Sequence, residues 1–211
     1  MVEAALDDVG AALTAQTPST TDRALLTLGH GTLGPGELRD LLLGMGVSLL
    51  VDVRRFPASR RQPHLAAEAL DLSMASAGIQ YRWDARLGGR RDLPKGVASL
   101  DPWWTVAAFR AYAAHTRTVE FQAGLAGLLR DTDRGRVAVM CSETLWWRCH
   151  RRLIADAVLG QAARPVAHLM PHGATREHRM SQGARLNAEG LLVWDGHAAA
   201  RTATSTSAPA R

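Results

Sequence analysis

The segment VMCSETLWWRCHRR (139–152) contains both cysteines of the chain, with one glutamate, one histidine and three arginines. It follows an apolar run that predicts a buried strand over 136–141, and it continues into a predicted helix over about 147–159. A thiol between a strand and a helix N-terminus lies near the positive end of the helix dipole, where a lowered pKa makes it nucleophilic. Cys141 is therefore a candidate nucleophile, although a small buried thiol explains it equally well. For Cys149 the buried thiol is the preferred interpretation.

The strongest catalytic candidate in this segment is Glu143. A carboxylate directly after a strand suits a general base, or a group that holds a ribose hydroxyl or a base amide. The competing explanation is a cap on the following helix. His150 begins an apolar helical stripe that continues with Ile154 and Val158, which favours a packed, hydrogen-bonded histidine. The candidate substrate-binding residues of the segment are Arg148, Cys149, His150 and Arg151.

The segment VDVRRFPASRR (51–61) pairs an acid at a predicted strand end with several arginines. Asp52 is suited to order Arg54 by a charge-assisted hydrogen bond, which leaves another guanidinium group free to bind a phosphate. The structural alternative is that Asp52 only accepts hydrogen bonds from the N–H groups of its loop. The candidate substrate-binding residues of this segment are Asp52, Arg54, Ser59 and Arg60.

The segment GHGT (29–32) places an imidazole between two glycines, where the backbone can approach a ligand closely. It lacks the G-x-G-x-x-G spacing of a dinucleotide-binding loop. Because a glycine-flanked imidazole has little packing value, His30 is an acid–base candidate, while Thr32 either contacts substrate or caps the next helix. The long irregular stretch 84–104 carries LGGRR, which is typical of a lid or a binding loop. The candidate substrate-binding residues of these two segments are Gly29, Gly31, Thr32, Gly89 and Arg90.

The elements that must position these residues follow the pattern of an α/β domain. Short apolar runs predict strands at 24–28, 47–53, 79–83, 136–141 and 164–170, and helical patterns lie between them. Alternating strands and helices imply right-handed crossovers, and hence a three-layer, Rossmann-like α/β fold with a mostly parallel five-stranded sheet. Ligands of such sheets bind beyond the carboxyl ends of the strands, so the candidate residues are expected to share one edge.

The ends of the chain and its composition bound the class of protein. Residues 23–195 are predicted to form a single domain, with a flexible extension over 1–22 and a disordered tail over 196–211. The net charge is +5, the pI is near 10.2 and Lys95 is the only lysine, so arginine favours an anionic partner, either a small molecule or nucleic acid. No apolar stretch approaches the roughly 20 residues of a membrane helix, and the acidic N-terminus lacks secretory character. We therefore expect a cytoplasmic protein with reduced thiols and no membrane partner.

Five residues are candidate zinc ligands, but no C-x-x-C or H-x-x-x-H pair exists among them. They are His30, Cys141, Cys149, His150 and His168. We therefore expect neither a metal nor a cofactor. Four tryptophans form either an aromatic platform for a base or sugar, or a set of packing contacts that fasten the irregular insert to the domain. They are Trp103, Trp104, Trp146 and Trp147.

Several motifs together resemble one bacterial family. The segments TLGHGT, LLVDVRRFPASRRQP, LGGRR, FRAYA and VAVMCSETLWWRCHRRLIADAV are similar to the Domain of Unknown Function 488 family over about 25–170. The resemblance implies a Rossmann-like α/β fold and no particular reaction. The bulky TLWW (144–147) departs from the more polar pattern of the family, which bears on substrate size. The residues that carry the family motifs are His30, Asp52, Arg54, Ser59, Arg60, Gly88, Gly89, Cys141, Glu143, Cys149, His150 and Arg151.

Taken together, the residues predict an enzyme that acts on a phosphate-bearing, nucleotide-like or nucleic-acid substrate. In this hypothesis Arg54 and Arg60 bind phosphate. Glu143 and His30 perform acid–base chemistry, and Cys141 is a nucleophile or a wall of the pocket. Cleavage or transfer at an N-glycosidic bond suits one carboxylate, one histidine and a stacking wall. Two alternatives stay open: a non-catalytic module that binds nucleotides or nucleic acid, and cysteine-dependent sulfur or acyl transfer.

Overall fold

The computed structural model of the protein describes residues 24–58, 62–93 and 96–196. The predicted N-terminal extension lies outside these ranges, and so does the predicted C-terminal tail except for Gly196. The candidate residues Ser59 and Arg60 also lie outside them. Among the described residues, no helix combines the length and the apolar composition that crossing a membrane requires.

Within the described ranges, six strands form the main sheet, and five of them are parallel. The strands are β1 (Leu25–Gly29), β2 (Leu49–Asp52), β3 (Gln80–Trp83), β4 (Val137–Cys141), β5 (Val166–Leu169) and β6 (Thr175–Glu177). Their order across the sheet is β3-β2-β4-β1-β5-β6, and β6 runs antiparallel to its neighbour β5. The predicted α/β fold with a mostly parallel sheet is confirmed.

The predicted total of five strands is too low, because three short strands were not recognised. They are β6 and the two strands of an antiparallel hairpin, β7 (Ala184–Leu186) and β8 (Leu192–Trp194). β6 has the sequence Thr-Arg-Glu and is exposed throughout, so it has no apolar run to mark it as a strand. β7 and β8 have three residues each, too few to establish an alternating pattern.

In the part of the chain that the structure describes, five α-helices cover the two faces of the sheet. They are α1 (Pro35–Gly44), α2 (Ala67–Ala75), α3 (Ala107–Thr116), α4 (Val119–Arg134) and α5 (Arg151–Ala162). The expected helix start at Trp147 is wrong, because Trp146–Arg148 forms a separate 3-10 turn. The chain from Ser142 to His150 is therefore a loop, which allows its side chains to point in several directions.

Two apolar clusters lie on opposite faces of the sheet. Leu25 of β1 and Val139 of β4 belong to the cluster packed against α3, α4 and α5. Their neighbours Leu26 and Ala138 belong to the cluster packed against α1 and α2. Successive strand side chains point to opposite faces, so β1 and β4 are buried along their whole length. These two central strands therefore hold the loops at their carboxyl ends firmly.

Aromatic contacts fasten the irregular insert to the domain. The buried ring of Trp104 lies 4.6 Å from the ring of Trp103 and 6.2 Å from that of Trp194. The guanidinium group of Arg152 lies over both Trp103 and Trp104. These contacts support a packing role for Trp103 and Trp104, which fasten the irregular insert to the domain.

His168 lies in β5 and joins a chain of buried hydrogen bonds. Its Nδ1 is 2.7 Å from the hydroxyl of Thr27, and its Nε2 is 3.0 Å from Nδ1 of His178. Nε2 of His178 is 2.8 Å from the carboxylate of Asp156 on α5. Because a carboxylate only accepts, Nε2 of His178 donates to Asp156, and a neutral His168 that accepts the Thr27 hydroxyl at Nδ1 carries its proton on Nε2. Residues 171–177 are exposed, whereas His178 is buried.

The neutral state of His168 makes folding sensitive to acid. Burial, followed by the positive charge of neighbouring groups, lowers its pKa from 6.5 to about 3. Between these values the unfolded chain binds a proton that the folded chain does not. The contribution of His168 to the free energy of unfolding is therefore fully present above about pH 6.5. It is lost as the pH falls toward 3, by about 5 kcal/mol at most.

Urea unfolding at several pH values between 7 and 4 measures this loss. We expect His168→Gln to reduce the dependence of the unfolding free energy on pH, since the titrating group is removed. His172→Gln serves as the control, because His172 is exposed and should leave the dependence unchanged. An undiminished dependence in His168→Gln would contradict the assignment of the acid sensitivity to this chain.

Candidate functional site

The loops that follow β1 and β4 meet at the centre of the sheet. The two strands are neighbours, yet α1 follows β1 on one face and α5 follows β4 on the other. The chain segments diverge beyond the strands and leave a crevice, the usual ligand position in an open parallel sheet. Backbone pairing continues into the loops, since His30 N–H donates to Cys141 O at 2.9 Å and Gly31 N–H donates to Ser142 O at 3.1 Å.

A cavity of about 370 Å³ opens at this edge of the sheet. The loops after β2, β3 and β4 form its wall together with α3. The four tryptophans of the proposed aromatic platform are not among the described residues that line it. The predicted site residues that line the cavity are Arg54, Gly89, Arg90, Cys141, Glu143, Arg148, Cys149 and His150.

Cys141, Cys149 and His150 form a compact group at the cavity, which we call the thiol–histidine cluster. Nδ1 of His150 lies 3.9 Å from Sγ of Cys141 and 3.6 Å from Sγ of Cys149. Nε2 of the same ring lies 3.2 Å from the carbonyl oxygen of Val53, which accepts a hydrogen bond from its N–H. In the neutral imidazole Nδ1 then carries no proton, and its lone pair faces the two sulfurs.

The three donor atoms of the thiol–histidine cluster lie within 4.8 Å of one another, which is close enough for a shared metal ion. The expectation of no metal relied on the lack of paired ligands at short sequence spacing. That test does not detect donors that a loop brings together, as the loop between Cys141 and Cys149 does here. The cluster therefore adds a possible ligand group that spacing did not predict.

The two thiols differ in pKa. The pKa of Cys149 is lowered to about 6, because its thiolate accepts a hydrogen bond from Cys141 and lies beside the charge of Arg151. Nε of Arg151 is 3.4 Å from Sγ of Cys149, and its Nη2 donates to the carbonyl oxygen of Glu143. The hydrogen bond to Cys149, together with burial, raises the pKa of Cys141 to about 12. Cys149, which sequence reasoning treated as structural, is thus the more acidic thiol.

Asp52 and Arg54 form a buried ion pair at the end of β2. Nε of Arg54 donates to the Asp52 carboxylate at 2.9 Å, and the Arg54 backbone N–H donates to the same carboxylate at 2.9 Å. The Tyr81 hydroxyl donates to it at 2.8 Å. Asp52 therefore orders the arginine and also accepts a loop N–H, so the alternative that it serves loop N–H groups alone is wrong. Arg54 lines the cavity with Nη1 lacking a hydrogen-bond partner among the described residues.

Three further arginines give the cavity a positive wall. Within the described ranges, Arg55, Arg90 and Arg148 form no hydrogen bond or ion pair through their side chains. Glu143 is the single acid among the described lining residues. Its exposed carboxylate accepts the N–H of Leu145 at 3.0 Å, so it stabilises its own turn rather than capping α5. The cavity is thus suited to binding an anion, and the carboxylate of Glu143 lies at its wall.

His30 lies behind the cavity wall. It is 4% exposed, and it is not among the described residues that line the cavity. Its Nδ1 donates to Gly31 O at 3.1 Å, while Nε2 is buried with no hydrogen-bond partner among the described residues. Burial, and then the charge of Arg54, lowers its pKa, so the ring is neutral near pH 7. The predicted contact of His30 with substrate is therefore not supported by its position.

The other predicted residues of GHGT pack against the loop after β4 or face solvent. A Cβ atom on Gly29 would collide with the carbonyl oxygen of Glu143, so the close approach of the two loops requires glycine there. Gly31 lies against the hydroxyl of Thr144. Thr32 is exposed and caps no helix, since α1 begins after Gly34. These residues shape the crevice and do not line the cavity.

Sequence reasoning did not assign seven of the lining residues to the site: Arg55, Phe56, Ala58, Ala108, Phe109, Tyr112 and Ser142. The Tyr112 hydroxyl donates to Leu87 O at 2.6 Å, and its ring lies 4.9 Å from the ring of His150. The early sign for Phe109 and Tyr112 was the segment FRAYA, which carries both in a helical pattern. A helical pattern identifies a buried face but not the loop that this face meets.

Replacing Asp52 by asparagine should destabilise the protein strongly. Asp52→Asn leaves the guanidinium group of Arg54 buried without its counter-charge, so we expect a loss of about 3–5 kcal/mol in the free energy of unfolding. Asp40→Asn breaks the exposed pair with Arg39 and should cost less than about 1 kcal/mol. Urea denaturation measures both variants. Equal losses would show that the buried pair is not needed for folding.

Cys149 should react with iodoacetamide at lower pH than Cys141. In reduced, metal-free protein we expect Cys149 to show an apparent pKa of about 6, while Cys141 stays protonated up to about pH 12. Peptide mass spectrometry after timed alkylation at each pH measures the two sites separately. Arg151→Met should raise the pKa of Cys149, because it removes the charge and the N–H donor. If Cys149 instead titrates near the ordinary thiol pKa of about 8.5, the assignment is refuted.

Comparison with known proteins yields one match. A family model, Domain of unknown function DUF488, matches residues 36–158. This span includes every described residue that lines the cavity, from Arg54 to His150. No curated protein and no solved structure matches the chain. Since the matched span covers more than half of the 211 residues, the chain belongs to the DUF488 family.

Proposed function

We propose that the protein is an enzyme that cleaves or transfers a group on a small, phosphate-bearing, nucleotide-like molecule bound in the cavity. One observation carries the proposal: four arginines and one glutamate line the same cavity as the thiol–histidine cluster. An anion-binding wall positions a substrate, and the remaining groups supply a carboxylate, two thiols and an imidazole for chemistry. The four arginines are Arg54, Arg55, Arg90 and Arg148.

The arginines support a phosphate-bearing substrate. Asp52 holds the side chain of Arg54 in place. A substrate that binds the remaining N–H groups of Arg54 therefore costs little further loss of side-chain conformational entropy. Arg55, Arg90 and Arg148 are unpaired within the described ranges, and their planar donor groups match the oxygens of a phosphate. The opposing charge of Glu143 is not paired with any of them. The cavity therefore favours an anion over a neutral molecule.

The size and aromatic wall of the cavity support a nucleotide-like molecule over a bare anion. A volume of about 370 Å³ falls in the range of small-molecule sites. Phe56 is 66% exposed at its wall, so its ring offers an apolar surface to a bound molecule. Phe109 and Tyr112 add two more rings to the same wall. A base or sugar could stack on Phe56 and Phe109, whereas Tyr112 is buried against His150 and only closes the wall.

Glu143 is the acid–base residue of the proposed reaction. Its carboxylate is exposed at the cavity, and the N–H of Leu145 restricts its orientation. Cleavage of an N-glycosidic bond needs a group that takes a proton from water and returns one to the leaving nitrogen, which one carboxylate performs in turn. His30 is not used, because it does not line the cavity.

Cysteine-dependent transfer of a sulfur or acyl group is the second candidate. The contact of Arg151 with Cys149, at 3.4 Å, favours a thiolate at the cavity. An attacking thiolate needs no help from Glu143, so the two candidates differ in the residue that is indispensable. Glu143→Gln abolishes turnover in the first and leaves most of it in the second.

Binding and turnover of AMP and ribose 5-phosphate test the proposal. We expect Arg148→Gln to weaken binding of both about tenfold, the effect of losing one charge-assisted contact of about 1.4 kcal/mol. Glu143→Gln should keep the wild-type dissociation constant and lose turnover of the nucleotide at least about 100-fold. Calorimetry measures binding, and mass spectrometry of the reaction mixture measures products.

The matched control is Arg39→Gln, which removes an exposed arginine on α1 that is paired with Asp40 away from the cavity. It should change neither binding nor turnover. Equal weakening in Arg39→Gln and Arg148→Gln would show that binding reflects net charge alone. Tight binding without turnover of any tested nucleotide by the wild type would instead identify a binding module.

A further inference from the structure

We propose that the thiol–histidine cluster is a zinc site in which Cys141, Cys149 and His150 supply three ligands and the cavity supplies the fourth position. The inference adds a metal ion to the proposed active site, but metal binding itself does not depend on which substrate the cavity takes. Four independent features of the cluster support it: donor type, donor spacing, the orientation of the imidazole, and access from the cavity.

The donor types select a thiophilic divalent cation. Two cysteine sulfurs and one imidazole nitrogen form a ligand set that zinc uses in three-ligand catalytic sites. When both thiols have lost their protons to solvent, the two thiolates carry a charge of −2, which cancels the charge of Zn²⁺. The arginines of the cavity wall then face a site with no net positive charge, so they do not exclude the metal.

The spacing of the donors fits a tetrahedral ion. Zinc–sulfur bonds of about 2.3 Å and zinc–nitrogen bonds of about 2.0 Å place a sulfur and a nitrogen about 3.5 Å apart in a tetrahedron. In the structure these separations are 3.6 Å for Cys149 and 3.9 Å for Cys141, measured to Nδ1 of His150. Shifts of a few tenths of an ångström would bring each sulfur to this spacing from Nδ1, and all three donor atoms lie within 4.8 Å of one another.

The orientation of His150 is the one a metal ligand requires. Nε2 donates to the carbonyl oxygen of Val53 at 3.2 Å, which fixes the tautomer and directs the Nδ1 lone pair toward the two sulfurs. Metal-bound histidines usually donate their second N–H to a carbonyl or carboxylate in this way. Nε of Arg151 donates to Sγ of Cys149, the kind of outer hydrogen bond that stabilises a bound thiolate.

The elements that carry the ligands are rigid, and the space before them is open. Cys141 ends the buried strand β4, and His150 directly precedes α5. Gly89 leaves room next to the imidazole: a Cβ atom there would lie 2.7 Å from Nδ1 of His150. All three ligands line the cavity, so a fourth position is accessible to water or to a substrate oxygen. Three protein ligands with one open position are typical of catalytic rather than structural zinc.

The alternative use of two adjacent thiols is a disulfide. A disulfide gives no role to the imidazole lone pair that faces both sulfurs, nor to the glycine that keeps the space before it free. A metal ion uses both features. The zinc site therefore accounts for more of the cluster than a redox pair does.

The test is metal analysis of the full chain, purified without chelators in the presence of reductant. We expect about one zinc per chain by plasma mass spectrometry. After removal of zinc, Co²⁺ should give a thiolate-to-metal charge-transfer band and the visible bands of a four-coordinate ion. Added Zn²⁺ should raise the melting temperature of the metal-free protein.

Variants locate the site. His150→Gln and Cys149→Ser should weaken zinc binding by more than about 100-fold, and Gly89→Ala should weaken it by about tenfold or more, because the methyl group obstructs the approach to Nδ1. Gly36→Ala is the matched control, since a Cβ atom there meets nothing within 4 Å. His172→Gln controls for the loss of a histidine. Gly89→Ala keeps all three ligands and so remains informative if a ligand variant does not fold.

Two results overturn the zinc site. One is wild-type protein that neither contains zinc nor gives the Co²⁺ thiolate band on titration. The other is loss of metal in Gly36→Ala or His172→Gln to the same extent as in the cluster variants. Failure of the proposed function looks different: Arg148→Gln would then leave AMP binding unchanged while zinc content and the Co²⁺ spectrum stay those of the wild type.

Discussion

The site depends on the continued pairing of β1 and β4 beyond the ends of the strands. His30 and Gly31 donate backbone hydrogen bonds to the carbonyls of Cys141 and Ser142 at 2.9 and 3.1 Å. Only glycine at position 29 permits the approach, because any Cβ atom would collide with the Glu143 carbonyl. This pairing holds the loop after β4 against the sheet. The loop must then turn back toward α5, and that turn brings the two cysteines to one place.

Charge at the sheet edge is divided between a buried, neutralised part and an open, unpaired part. Asp52 neutralises Arg54 inside the protein, where an isolated guanidinium group would be costly. Arg151 is buried as well, against the sulfur of Cys149 and a backbone carbonyl. The exposed arginines of the cavity wall have no such partners within the described residues. The unpaired arginines of this edge thus lie where a ligand can reach them.

The sequence predicted the parallel sheet well, because its strands are apolar runs buried on both faces and therefore easy to recognise. It missed β6, whose three residues are all exposed, and it placed the start of α5 four residues too early. The early start came from the Trp146–Arg148 turn, whose composition suits a helix but whose backbone closes as 3-10. His30 was expected in the site because of its glycines, yet those glycines serve the contact between two loops.

From the sequence alone, the strand ends that carry acids, arginines and thiols were identifiable, as was the local pair of Asp52 and Arg54, two residues apart. Those features follow from local order along the chain. The thiol–histidine cluster was decided by tertiary structure: Val53, 97 residues from His150, sets the tautomer of the ring. Gly89 and Tyr112 approach the same ring from two other elements. Spacing within one segment carries no information on such contacts, because packing of distant elements determines where a lone pair points.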